Sequence, residues 1–193
     1  MITTLFFIFF SNLFISAVTP KQVQDFTLTN AVNGNAFSLS DYADAKAIVI
    51  LFNSNYCPYS KLYDQRISSL LDTYRPKGVK FVFINPNNPR LSPADRQEEL
   101  AKKIRDMRWD APYLVDSEQK VASMFDVNKT PEAFVLQKRG SQYEILYRGA
   151  IDDNPQVASD VSHRYLQNAL DAILSNKPVL VSHTHPTGCM IKR

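Results

Sequence analysis

The chain holds two sulfur nucleophiles, Cys57 and Cys189, in 193 residues. A thiol attacks disulfides, peroxides and soft metals as its thiolate. That anion is favoured where unpaired backbone N–H groups and the positive end of a helix dipole converge. The order of residues gives Cys57 such a place: the apolar run AIVILFN (47–53) leads through Ser54, Asn55 and Tyr56 to Cys57, and Pro58 follows. Proline suits the first position of a helix, whose N–H has no intrahelical partner. An inert buried cysteine is the bland alternative. Position, the following proline and the signs of export described below favour a redox-active residue.

Cys189 sits near the end, in TGCMIK (187–192). A mixed disulfide or sulfenic acid formed at Cys57 needs a second thiol to resolve it, and Cys189 is the one candidate within the chain. Gly188 lets the tail fold back over the domain. A static bridge, a cycling pair, an intermolecular bridge and two free thiols all fit the sequence. An intramolecular bridge would close a loop long enough to stabilise the fold by about 4–5 kcal/mol through loop-closure entropy. His183, His185, Cys189 and Met190 fall within eight residues and together suit Cu(I). Their spacing matches no tight binding motif, so no metal site and no cofactor are expected.

Several elements must place these groups. Phe26, Leu28, Phe37 and Leu39 flank Asn33-Gly34, which favours a tight hairpin turn. The uninterrupted runs 47–53 and VKFVFI (79–84) read as strands buried on both faces of a parallel or mixed sheet. From Tyr59 to Tyr74 apolar residues recur at helical spacing until Pro76 and Gly78, which puts Cys57 at a strand-to-helix junction. Ser92 is expected to cap a helix with Pro93 and Asp95 in its first turn, running to Met107. A short strand at 112–115, a short helix at 118–125 and a hairpin around Gly140 follow. A last helix carries Val161, Tyr165, Leu166, Leu170, Ile173 and Leu174 on one face.

Composition bounds the rest. With 45% apolar and 21% charged residues, 5 Gly and 11 Pro, the chain suits one ordinary α/β domain and neither a fibrous nor a disordered one. Its net charge of +3 is spread along the chain, which argues against nucleic acid as a partner. Two cysteines are too few for a disulfide-stapled mini-domain.

Residues 1–17, MITTLFFIFFSNLFISA, carry no charged side chain. The apolar centre has the length of a signal-peptide core and falls short of the roughly 18 residues of a spanning helix. The expectation is export to a periplasmic or secreted location, with membrane association only if the segment stays uncleaved. A domain over 18–176 and a tail over 177–193 complete the chain.

The pieces DFTL (25–28), FSLSDY (37–42), NSNYCPYSKLY (53–63), TPEAFVL (130–136), YRGAIDD (147–153) and TGCMIK (187–192) stand in an order that resembles the thioredoxin superfamily. Within it they are similar to the peroxiredoxin-like redoxins related to alkyl hydroperoxide reductase and thiol-specific antioxidant proteins. The resemblance implies a three-layer fold, a central mixed sheet flanked by helices, here with an N-terminal hairpin extension. It implies Cys57 as attacking thiol and Pro131 as a cis-proline facing it, with Thr130 presenting its backbone to a substrate chain. Lys129 would favour the thiolate if it points inward.

Departures from the family pattern shape the function. The usual C-x-x-C is C-P-Y-S here, with Ser60 in the second position, so no adjacent thiol releases a mixed disulfide. Peroxiredoxins place a Pro seven residues and a Thr or Ser three residues before the attacking cysteine; Ser54 meets the second condition and Ile50 fails the first. Arg148 is a candidate for polarising a peroxide, with a sheet-edge arginine paired to Asp152 or Asp153 as the plainer reading. The leading expectation is an extracytoplasmic thiol–disulfide oxidoreductase acting on a protein disulfide with an unidentified thiol reductant. A thiol peroxidase comes second, and a non-enzymatic copper- or protein-binding module third.

Overall fold

The computed structural model describes residues 21–193. The expected signal segment 1–17 and the start of the domain at 18 lie outside the described residues.

Eight strands form one mixed sheet: β1 (Gln22–Val23), β2 (Thr27–Asn30), β3 (Ala36–Ser38), β4 (Ala47–Phe52), β5 (Val79–Asn85), β6 (Tyr113–Val115), β8 (Glu132–Arg139) and β9 (Gln142–Gly149). Their spatial order is β1-β9-β8-β4-β5-β6-β2-β3. β4, β5 and β6 run parallel and the other pairings are antiparallel. Only residues 24–26 separate β1 from β2, which belong to opposite flanks of the sheet. Four Cα steps span at most about 15 Å, whereas in a flat sheet β1 and β2, six strand spacings apart, would stand about 29 Å from one another, so the sheet must twist and curl.

Both faces of β4 are buried, as its unbroken apolar run requires. Ala47, Val49 and Leu51 join a cluster with α2 (Asp64–Tyr74), α3 (Gln97–Met107) and α5 (Tyr165–Leu174); Ile48, Ile50 and Phe52 join a second with α4 (Lys120–Phe125) and the N-terminal residues Val23, Phe26, Phe37 and Leu39. Strand periodicity sends alternate residues to opposite layers. The result is the expected three-layer, thioredoxin-like fold with a hairpin extension.

Local expectations are corrected in four places. The helix expected from Tyr59 to Tyr74 is divided into α1 (Pro58–Leu62) and α2 at Tyr63, whose N–H donates back to Ser60 O at 3.2 Å. The Tyr63 hydroxyl donates to Asp152 Oδ1 at 2.8 Å, holding the junction against a distant loop. Pro93–Asp95 form a separate 3-10 turn, Arg96 is extended, and α3 starts at Gln97; Asp95 turns inward to a polar network instead of facing a helix start. Asn33-Gly34 lies in a five-residue loop, because Ala31 is drawn inward with its N–H on Tyr113 O at 2.8 Å. Val161 precedes α5, since Asp153 Oδ1 accepts the Ser162 N–H at 3.0 Å and keeps that segment out of the helix.

Candidate active site

The carboxyl end of β4 delivers the chain to Cys57, which is the N-terminal cap of α1 with Pro58 in the first turn. Lys61 N–H donates to Cys57 O at 3.3 Å, closing the first turn. First-turn N–H groups have no helical acceptor and face the capping residue. Cys57 is fully buried and bonded to Cys189, with Cα atoms 5.7 Å apart across 132 positions. Its Sγ lies 3.2 Å from Thr130 O. A disulfide sulfur has no proton to donate, so this contact becomes a thiol hydrogen bond only on reduction.

Thr130 and Pro131 are joined by a cis peptide bond. Lys129–Thr130 form β7, a short strand whose partner is the tail: β10 (Cys189–Met190) pairs with it antiparallel, Cys189 opposite Thr130 and Met190 opposite Lys129. Gly188 is pressed on the same turn, and a β-carbon there would stand 2.2 Å from Thr130 O. Ile191 is buried in the second core cluster and its N–H donates to Asn128 O at 3.1 Å. Lys192 O accepts from the Asn88 N–H at 2.9 Å and from Gln119 Nε2 at 3.1 Å. The tail is thus a strap across the carboxyl ends of the parallel strands β4, β5 and β6, anchored on the C-terminal side of Cys189 by Ile191 and Lys192 and on the N-terminal side by the contact of Gly188 with Thr130.

A polar network that sequence reasoning missed supports the Cys57 loop. Asp95 is buried and accepts from Ser54 Oγ (2.9 Å), Asn55 N–H (2.6 Å), Asn85 Nδ2 (2.8 Å), Asn87 Nδ2 (2.8 Å) and Ser92 Oγ (2.5 Å). Asn87 also accepts the Lys192 N–H at 2.8 Å, so one side chain joins the network to the tail. The Asn- and Pro-rich stretch 85–91 was the available signal, and it reads only as a loop.

The structure brings Cys57, Pro58, Thr130, Pro131 and Cys189 together. Ser54 belongs to the Asp95 network: its Oγ accepts the Tyr56 N–H at 3.1 Å and Asn87 Nδ2 at 3.0 Å. Lys129 is exposed. The expected pairing of Arg148 with Asp152 or Asp153 is replaced by Glu132, 3.0 Å from its Nη2, with Asp126 at 3.7 Å. Asp152 is held instead by Arg66 at 2.7 Å and by Tyr63. Burial pushes the Glu132 carboxyl above its usual value, and Arg148 opposes this without cancelling it. Among the described residues no group of three or more His, Cys, Asp or Glu side chains could hold a metal ion.

The family described as AhpC/TSA matches residues 19–143, more than half of the chain, and this span contains both Cys57 and Thr130-Pro131. The chain belongs to the AhpC/TSA family. This AhpC/TSA protein is similar over nearly its whole length to two solved structures. One is an uncharacterised conserved protein of Geobacillus kaustophilus: 36% identity, 90% of this chain and 91% of that one, TM-score 0.82. The other is a hypothetical protein of Sinorhizobium meliloti: 30% identity, 92% and 95% covered, TM-score 0.81. Among curated proteins it is 25% identical over 122 residues to the thiol-disulfide oxidoreductase ResA of Geobacillus kaustophilus, covering 63% of this chain. The chain spans 65% of the length of that relative. The family match ends at Tyr143, so the strap that carries Cys189 lies beyond it.

Proposed function

We propose that this AhpC/TSA protein is an extracytoplasmic thiol–disulfide oxidoreductase in which Cys57 attacks and Cys189 resolves. The observation that carries the reading is the Cys57–Cys189 bond formed beside cis-Pro131 by a tail strand paired with Thr130. In the reduced protein the Cys57 thiolate attacks one sulfur of a protein disulfide, and the partner's other sulfur leaves as a thiolate. Cys189 then attacks Cys57 Sγ, releasing the second partner thiol and closing the internal disulfide. Two electrons pass to the partner, and an external thiol reductant restores them. The remoteness of Cys189 in sequence replaces the missing adjacent thiol of C-P-Y-S.

Export is supported by the apolar, uncharged residues 1–17 and by a disulfide that persists in oxidising compartments. None of the described helices is long and apolar enough to cross a membrane. The division into a segment 1–17, a domain 18–176 and a tail 177–193 remains part of this proposal.

The peroxidase alternative would use the same pair through a Cys57 sulfenic acid. Ser54, the residue that favoured it, serves Asp95, and Arg148 serves Glu132 and Asp126.

Intact mass of the purified chain with and without reductant, followed by exchange with a protein disulfide, tests the reading. A two-proton mass difference and turnover lost in Cys57→Ser are expected. Turnover surviving that substitution overturns it, and rapid peroxide consumption with no exchange selects the peroxidase.

A further inference from the structure

The strap is built like a bound peptide. Its backbone adds a strand to the Lys129–Thr130 edge, its cysteine meets Cys57, and Ile191 two positions on fills a buried apolar site. Strand addition of this kind draws affinity from main-chain hydrogen bonds and specificity from alternate side chains. Here one position has no room for a side chain at all. A β-carbon at Gly188 would meet Thr130 O at 2.2 Å and Thr130 C at 2.7 Å, both backbone atoms that cannot swing aside. Gly188 is not among the positive-φ glycines, so contact with the cis-proline turn, and not backbone conformation, demands the missing side chain.

We infer that the tail is an internal occupant of a peptide-docking groove, and that reduction frees this groove for an extended polypeptide with glycine before its cysteine and an aliphatic residue two positions after it. The inference rests on the proposed thiol–disulfide chemistry and adds a substrate pattern to it. Tail and substrate compete for one edge: while Cys57 and Cys189 are bonded the groove is filled, and once they are reduced the strap holds only by its non-covalent contacts.

The test uses the full chain carrying Cys189→Ser, reduced, with synthetic peptides whose cysteine is activated as a thionitrobenzoate disulfide. The Cys57 thiolate attacks the peptide sulfur, a Cys57–peptide disulfide forms, and thionitrobenzoate leaves as a coloured thiolate; the Cys57 proton goes to solvent. Thr-Gly-Cys-Met-Ile-Lys is compared with Thr-Ala-Cys-Met-Ile-Lys, Thr-Gly-Cys-Met-Asp-Lys and equally activated glutathione. Redocking of the serine tail lowers all four rates by one factor, so their ratios are unaffected. The first peptide is expected to react at least fivefold faster than each of the others. A smaller ratio with brisk reaction of glutathione overturns the groove and leaves the oxidoreductase reading standing. No reaction with any probe overturns both.

Gly188→Ala in the otherwise native chain gives an independent check should Cys189→Ser fail to fold. Its equilibrium constant for closing the Cys57–Cys189 disulfide against glutathione is expected to fall at least fivefold; a smaller change overturns the contact on which the pattern depends.

Discussion

Asp95 and Asn55 lie forty positions apart, and the Asp95 carboxylate accepts the Asn55 N–H at 2.6 Å. That bond fixes the backbone two residues before Cys57, and four further donors converge on the same carboxylate. Asp95→Ala leaves buried donors on Ser54, Asn85, Asn87 and Ser92 without their acceptor. A loss of about 3–5 kcal/mol is expected from urea unfolding of the oxidised protein. A loss below about 1 kcal/mol would show that the network is dispensable.

The two cysteines of the disulfide differ in exposure: Cys57 is fully buried and Cys189 is partly exposed. A small thiol should therefore attack Cys189 and expel Cys57, the thiolate that the α1 turn favours. Brief treatment of the oxidised chain with glutathione, acid quenching and peptide mapping should find glutathione on Cys189. Adducts mainly on Cys57 would contradict this order of attack.

Reduction should loosen the whole fold. The bridge spans 132 positions, and loop-closure entropy for such a span is worth about 5 kcal/mol. Unfolding free energy measured with and without a strong reductant should differ by several kcal/mol, and the double variant Cys57→Ser with Cys189→Ser should match the reduced protein.

Glu132 should leave a pH signature. Burial raises its folded-state pKa above the ordinary 4.5, so the folded chain holds this proton more tightly than the unfolded one. Its stabilising contribution is full below about pH 4.5 and is lost as pH rises through the raised folded value, with a slope of at most about 1.4 kcal/mol per pH unit. The stability of wild type relative to Glu132→Gln should therefore decline from acid toward neutral pH. A difference that grows with pH would mean that the Arg148 pairing outweighs burial.

The apolar runs 47–53 and 79–84 were legible as doubly buried strands because such runs have few other uses, and they fixed Cys57 at the strand-to-helix junction. Asp95 was not legible as part of the site. Its donors come from residues 54–55, 85–87 and 92, separate stretches that meet only when β4 and β5 lie side by side. The partner of Arg148, expected to be Asp152 or Asp153, is likewise decided by strand pairing. Counting back from the pairing of Arg139 with Gln142 at the hairpin turn places Arg148 opposite Ala133, but the register shifts between Val135 and Leu136 and sets it opposite Phe134. A shift of one residue reverses the face of a strand, and it gives Arg148 the diagonal neighbour Glu132.

By itself the sequence determined which thiol stands at a helix start, the alternation of strands and helices, and the shortage of thiols that makes Cys189 the only internal partner. Hydrophobic periodicity and helix-start chemistry act over neighbouring residues, so they can be read from the sequence. Tertiary structure decided that the tail returns across the sheet to bond Cys57, that Gly188 must touch Thr130, and that Asp95 holds the Cys57 loop. Each depends on groups 40 to 132 positions apart. Only the curl of the sheet and the register of its strands bring such groups within bonding distance.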